Sequence, residues 1–172
     1  SGSQEVDGVR YGSLKYFSNE THTIYPPRLE AKWDDSIFTA GSLIALTSDN
    51  ISISTTNLQS EYSERAKVRV KLLARELYPT KTYTTTSISA SPKYIPSSSY
   101  YSIIDASTDE TIIPYDTSYT KISLDSSGNY FNIWMDSLLP ERLYKIGVRV
   151  DHRQYTNQQE HFTCATLFKV IR

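Results

Sequence analysis

Apolar and polar residues alternate along much of this chain, and the clearest example lies in residues 138–150. In this stretch the aromatic and aliphatic side chains fall on one face, while the flanks and the other face carry charged residues. The inward set is Tyr144, Ile146, Val148 and Val150. Alternation with a period of two residues is typical of a half-buried antiparallel strand. We therefore expect a long strand here, with one face in a core.

The residues just before this strand indicate how the chain enters it. Leu138, Leu139 and Pro140 precede the charged pair Glu141-Arg142, and Tyr144 follows just inside the strand. This pattern is typical of the tyrosine corner of sandwich domains, in which the ring packs inside and the hydroxyl bonds backbone upstream. The pattern predicts architecture rather than a reaction.

A second clear alternation covers residues 65–75. Ala66, Val68, Val70 and Leu72 would face inward, while Lys67, Arg69 and Lys71 would face outward. A helix over residues 64–77 is the alternative, but the β-branched valines and the regular alternation favour a strand.

The second half of the chain repeats this rhythm. Residues 101–104 and 111–113 predict a hairpin, residues 125–129 a turn, and residues 162–170 a closing strand. Six strands are expected from Tyr101 onward, about the number in an immunoglobulin-like or fibronectin-like sandwich. The expected fold class is all-β, with one or more antiparallel β-sandwiches.

A proline-containing polar stretch that begins at Tyr78-Pro79 is the best internal boundary. It predicts an N-terminal β domain over residues 1–80 and an immunoglobulin-like sandwich over residues 81–172. Within the first domain, Leu29, Ala31 and Trp33 alternate with charged residues and predict another half-buried strand. Trp33 is accordingly expected to pack in the core.

Composition excludes several classes of function. The formal net charge is −1, whereas a general binder of nucleic acid or of anionic membranes needs a basic surplus. No apolar run approaches the roughly 20 residues that span a bilayer. The single cysteine, Cys164, excludes an intrachain disulfide and is expected to pack as a small hydrophobic residue.

No pattern of catalytic or metal-binding residues stands out. His22, His152 and His161 do not form the close pairs that metal sites use, and each lies beside a predicted turn. Asp34 and Asp35 are adjacent, so on a strand they would point to opposite faces. The sequence also lacks the phosphate-binding and nucleophile motifs of common enzymes. We expect no enzymatic activity, no cofactor and no metal site.

The aromatic content points to contacts instead. The chain has 14 tyrosines, and tyrosine and tryptophan are favoured both at protein interfaces and in sugar-binding sites. A protein partner is the preferred interpretation, and a glycan is the alternative. The candidate contact residues are Tyr25, Trp33, Tyr100, Tyr101, Tyr115 and Trp134. Trp134, like Trp33, has a place in the core as its alternative role.

Several blocks of sequence resemble structural proteins of contractile-tailed bacteriophages. They are residues 21–30 running on to 32–36, residues 100–105 (Tyr-Tyr-Ser-Ile-Ile-Asp), residues 128–131 (Gly-Asn-Tyr-Phe) and residues 139–144 (Leu-Pro-Glu-Arg-Leu-Tyr). The resemblance implies a non-enzymatic virion component of the capsid, neck, tail or baseplate, built of β-sandwich modules and assembled in many copies with other virion proteins. The alternative function is a carbohydrate-binding or adhesion module of a cell-surface or secreted protein.

Overall fold

The alternating patterns form strands throughout the part of the chain that the structure, a computed structural model, describes: residues 31–46, 50–79, 93–151 and 159–172. Eleven strands lie in these ranges. They are β1 (Ile44–Ala45), β2 (Ile51–Thr55), β3 (Glu61–Ser63), β4 (Lys67–Glu76), β5 (Lys93–Tyr94), β6 (Ser99–Asp105), β7 (Thr111–Ile113), β8 (Ser123–Asp125), β9 (Gly128–Trp134), β10 (Leu143–Asp151) and β11 (Gln159–Ile171). One 3₁₀ turn, Met135–Ser137, follows β9, and these ranges contain no α-helix.

The strands form two sheets that pack against each other as a sandwich, so the expected all-β fold is confirmed. The first sheet has the order β1-β5-β4-β9-β8, with β2 paired to the other edge of β4. The second sheet has the order β3-β11-β10-β6-β7. Both long alternations lie at the centre of this arrangement: residues 65–75 supply β4 and residues 143–151 supply β10.

The sheets are mixed rather than purely antiparallel. β1 runs parallel to β5, and β3 runs parallel to β11. Phe38 also makes a parallel bridge to Leu124 beside β8. Alternation reports only which side chains share a face, so it contains no information about the direction of a neighbouring strand. The expectation of antiparallel pairing was therefore too narrow.

The expected division into domains 1–80 and 81–172 does not match the strand pairing. β4 lies before residue 80 and pairs with β9, which lies after it, and β3 pairs with β11 in the same way. The compact unit that holds all of these strands runs from Trp33 to Arg172. The polar stretch after Tyr78 was interpreted as a linker because nothing local shows that strands on its two sides are partners.

The core lies between the two sheets, where each long strand places its alternate side chains. β4 contributes Val70 and Leu72, β9 contributes Phe131 and Ile133, and β11 contributes Phe168, together with their buried neighbours. The predicted inward residues of β10 are all buried, at 1% exposure or less. At the rates for buried apolar area, each such side chain contributes about 1.5–3 kcal/mol.

The tyrosine corner is present. The Tyr144 ring is buried against Phe168, with ring centroids 5.7 Å apart, and its hydroxyl donates a hydrogen bond of 2.9 Å to the Leu139 carbonyl oxygen. Burial raises the pKa of the Tyr144 hydroxyl, which keeps it protonated as a donor. The corner also needs a turn, which Glu141 makes at a φ of 64°, in the left-handed region.

Trp33 departs from its predicted place. Ala31 and Trp33 are both exposed, Trp33 to 51%, and residues 31–36 form no strand. The chain is nevertheless fixed just beyond, because Leu124 donates from its backbone N–H to the Ile37 carbonyl and Thr39 donates to the Leu124 carbonyl. These residues run along an edge of the sandwich, where alternation does not bring a side chain into the core.

Candidate interaction surfaces

Of the predicted contact residues, Tyr101 takes a position between the two sheets. Its ring stacks on Phe131, with centroids 4.1 Å apart and planes inclined by 13°, and its hydroxyl lies 3.5 Å from the Asn132 carbonyl oxygen. Burial, with a smaller contribution from the charge of Asp35, raises the pKa of Tyr101 to about 12. Tyr101 therefore stabilises the packing of the sheets and offers little surface to a partner.

Tyr100 and Tyr115 lie together on the outer face of the second sheet. Arg149 lies over both rings, with its guanidinium carbon 4.7 Å from the centroid of Tyr100 and 5.4 Å from that of Tyr115. The Tyr115 ring also meets His161 edge-on, with centroids 5.4 Å apart. Tyr100 is consequently only 7% exposed although it points away from the core. We call these four residues the covered cluster.

The absence of a side chain at Gly147 allows the segment after β7, which carries Tyr115, to reach this face. A Cβ atom at position 147 would lie 2.5 Å from both the Ser102 and the Tyr115 hydroxyl oxygens. Only a residue without a side chain leaves room here for the Tyr115 hydroxyl to approach the strand so closely. Arg149 is also paired with Asp151, at 3.1 Å between Nε and Oδ1, so its charge is compensated locally. The covered cluster is thus a packing arrangement on the outside of the sheet.

Trp134, at the end of β9, is 40% exposed on the outer face of the first sheet. The Lys67 ammonium lies 4.6 Å from the centroid of the Trp134 ring system, which is within the range of a favourable cation–π interaction. Trp134 therefore remains available for contacts, as does the exposed Trp33, whereas the sixth predicted residue, Tyr25, lies outside the described residues.

A line of cations runs beside Trp134 on the same face. Lys67, Arg69 and Lys71 occupy successive outward positions of β4, Arg75 follows after the half-buried Leu73, and all four cations are exposed. Positions two residues apart on a strand are separated by about 7 Å, so the line extends over roughly 27 Å. We call these four residues with Trp134 the cationic face. The alternation predicted the outward direction of the first three, but not their aromatic neighbours on β9.

The backbone edge of β4 beside these cations is occupied by a side chain. Asn57 donates through its amide nitrogen to the Arg69 carbonyl at 2.7 Å and accepts from the Lys71 N–H through its amide oxygen, also at 2.7 Å. Beyond the end of β2 at Thr55, the Thr56 N–H donates to the Lys71 carbonyl at 3.1 Å, and the Asn57 amide continues the pairing along β4. A free strand edge invites pairing with another chain, and this contact removes two of its positions.

Three large apolar side chains are exposed at and beside the tyrosine corner, two of them on the outer face of the second sheet. Leu143 and Leu167 are each 43% exposed; Leu143 pairs with Lys169 across the strands, and Leu167 pairs with Lys145. Both leucines occupy outward positions where alternation predicts polar residues. Leu139 of the corner is 48% exposed. We call Leu139, Leu143 and Leu167 the leucine corner.

Ion pairs rim the leucine corner. Lys169 contacts Glu141 at 2.5 Å, and Lys145 contacts Asp109. Hydrogen bonding to Glu141 raises the pKa of Lys169, so this lysine remains charged at neutral pH. An exposed apolar patch with a polar rim is typical of a protein–protein contact.

The carboxylates of the predicted turns hold those turns together. Asp105 accepts hydrogen bonds from the backbone N–H groups of Ser107 and Thr108 and pairs with Arg142 at 3.1 Å. The Ser107 hydrogen bond is the main cause of the lowered pKa of Asp105. Asp125 accepts in the same way from Ser127, whose hydroxyl hydrogen bond is the main cause of its lowered pKa. These groups complete turns and are not directed at a ligand.

Within the described residues, the side chains that most often act in metal binding or catalysis do not form a cluster. No group of three or more His, Cys, Asp or Glu side chains within the described ranges is placed to hold a metal ion. His161 belongs to the covered cluster, whereas His22 and His152 lie outside the described residues. Cys164 is 3% exposed, and burial raises the pKa of its thiol to about 11, so it packs as predicted.

Comparisons of the whole chain with protein-family models, with curated proteins and with solved structures gave no match. Within the described residues, no helix has the length and apolar character needed to cross a membrane.

Proposed function

We propose that this chain is a non-enzymatic structural module that assembles in many copies, and that its place is the virion of a tailed bacteriophage. The observation that carries the assembly proposal is the leucine corner. Leu143 and Leu167 are large apolar side chains at outward strand positions, and ion pairs on both sides surround them. The virion assignment is supported by the sequence blocks that resemble tailed-phage structural proteins.

The physical basis of such assembly is burial of the corner. Covering two half-exposed leucines in an interface gains about 1–2 kcal/mol, which is modest for a single contact. Repetition of one contact around a closed symmetric assembly converts a weak pairwise affinity into a stable particle. The ion pairs at the rim remain solvated and add specificity rather than affinity.

Sedimentation of the purified chain over a range of concentrations tests the assembly proposal. We expect the average mass to rise with concentration, and the double variant Leu143→Ser/Leu167→Ser to remain monomeric. Leu77→Ser is the matched control, because Leu77 is 48% exposed elsewhere on the sandwich and should assemble like the original chain. A chain that stays monomeric throughout, or a double variant that assembles normally, contradicts the proposal.

The virion assignment has a separate test in the neighbouring genes. We expect genes for a terminase, a portal or a tail sheath beside the gene of this chain. Flanking genes for secreted hydrolases or cell-wall anchors would overturn the virion assignment while leaving the assembly proposal to its own measurement.

A further inference from the structure

Three features of the cationic face support a binding role: its line of cations, the contrast with the net charge of the whole chain, and the non-acidic residues on the neighbouring strands. Its four cations lie in one line on β4, although the chain as a whole has a formal net charge of −1. The neighbouring residues on β2 and β9 are hydroxyl, amide and aromatic side chains rather than acids. Across the strands, Arg75 pairs with Ser52, Arg69 pairs with Asn132, and Lys67 pairs with Trp134.

Among the described residues, Asp125 acts electrostatically on both Arg69 and Lys71, and Asp35 lies at the edge of the face. Asp125 lies 3.5 Å from Arg69, and Asp35 hydrogen bonds to the Asn132 amide at 3.3 Å. Arg69 is held by the Tyr130 ring, whose centroid is 4.2 Å from the guanidinium carbon. Stacking of this kind directs the edge of the guanidinium away from the ring, where Nη1 lies 3.5 Å from Asp125 and the other nitrogens can donate to a second anion. Arg69 is thus partly ordered before a ligand arrives.

The shape of the face limits the ligand. The face is formed by neighbouring strands of one sheet, and none of its residues lines either of two cavities found within the described residues, one bordered by Ser98 and Lys121 and the other by Asn50 and Phe162. Lys67, Arg69 and Lys71 follow one another at about 7 Å, and Arg75 lies about 13 Å beyond Lys71, so the charges extend in one direction, as those of a linear polyanion do.

We propose that the cationic face binds a linear polysaccharide that carries carboxylate groups. The cations would pair with the carboxylates, Asn132 and the serines of β2 would hydrogen bond to ring hydroxyls, and Trp134 would supply an apolar contact at one end. An acidic protein segment would use the same charges, but a row of short hydroxyl and amide groups beside a half-exposed indole is better suited to sugar rings. This binding is additional to assembly through the leucine corner, which lies on the other sheet.

Binding measurements with polygalacturonate, by calorimetry at low and high salt, test the proposal. We expect measurable binding that weakens with salt, and no binding of the neutral polymer dextran. The double variant Lys67→Gln/Lys71→Gln should lower the affinity by about tenfold, as expected for the loss of two exposed ion pairs. Adding Trp134→Ala to this double variant should lower the affinity for polygalacturonate further. The salt dependence of binding should not change, because the indole carries no charge.

The matched control is Lys145→Gln/Lys169→Gln, which removes the same charge from the second sheet. It should change the affinity for polygalacturonate by less than about twofold, because its charges lie away from the face. An equal loss in this control, or equal affinity for polyglutamate or a single-stranded oligonucleotide, would overturn the proposal in favour of non-specific attraction of polyanions. Absence of binding at low salt would overturn it outright. All variants alter exposed positions, and their thermal unfolding verifies that the fold is retained.

Discussion

The outer faces of the two sheets contain the same pair of residue types in opposite situations. Arg69 lies over Tyr130 on the first sheet, and Arg149 lies over Tyr100 on the second. The Arg69 side chain is 52% exposed, whereas that of Arg149 is 15% exposed. The difference arises because the segment after β7 places Tyr115 over the second face. A stacked arginine therefore stabilises the fold where chain covers it and remains a contact surface where chain does not.

The sharpest test of this comparison is to remove each arginine in turn. We expect Arg149→Ala to lower the free energy of unfolding by about 1–3 kcal/mol, since it removes two ring contacts and leaves Asp151 without its partner. Arg69→Ala should change it by less than about 0.5 kcal/mol, as is usual for exposed positions. Urea unfolding of both variants gives the two values, and equal losses would show that coverage is not the deciding factor.

A second test disturbs the covered cluster without replacing a charged residue. Gly147→Ala places a methyl group against the Ser102 and Tyr115 hydroxyls, so both side chains have to shift. We expect a loss of about 1–2 kcal/mol in urea unfolding, the usual cost of inserting a group into a packed site. Addition of Tyr115→Ala to this variant should add little further loss, because both changes disrupt the same contact. Fully additive losses would contradict a direct clash between the two residues.

A third test measures how the turn carboxylate of Asp105 makes the stability of the fold depend on pH. The folded-state pKa of Asp105 is lowered below its ordinary value of 3.8, mainly by the Ser107 backbone hydrogen bond. A lowered pKa means that stability is fully present above about pH 4 and is lost as the pH falls through the folded-state pKa. We expect Asp105→Asn to be less stable at neutral pH and to show a smaller loss on acidification. An unchanged acid profile would mean that Asp105 is not responsible.

The smallest expected effect is on the rate at which a thiol reagent labels Cys164 in the second sheet. Cys164 is buried in β11, and burial raises its thiol pKa to about 11. We expect a thiol reagent at pH 8 to label the folded chain at a rate set by transient opening, and the Gly147→Ala variant to be labelled several-fold faster. Arg69→Ala, on the other sheet, provides the control and should leave the rate unchanged.

Local patterns in the sequence predicted much of this fold. The alternation in β4 and β10 identified their buried faces, and the leucine–proline lead into Tyr144 predicted the hydroxyl contact with the upstream backbone. Both features depend on residues that are close in sequence. Cys164 was placed correctly for the same reason, since its neighbours Phe168 and Val170 follow the inward period of β11.

The surfaces were harder to predict, because they depend on what lies over each strand. Tyr100 occupies an outward position, and only the segment that carries Tyr115 makes it buried. Trp33 alternates as a buried residue would, yet it lies on a stretch at the edge of the sandwich. The leucine corner had a signal in the sequence: Leu143 and Leu167 are apolar residues at positions of polar register. The assembly proposed above therefore rests on such exceptions to the alternation rather than on the number of aromatic residues.

The amide of Asn57 has a consequence for the size of any particle this chain builds. By occupying the rim of β4, it denies incoming strands a template on which identical chains would stack without limit into fibres. In the assembly proposed above, growth would be directed instead to side-chain patches, whose geometry would fix how many copies meet. Replacing this one polar residue with leucine would expose the template, and slow conversion of a soluble chain into threads that bind amyloid dyes would be the visible result.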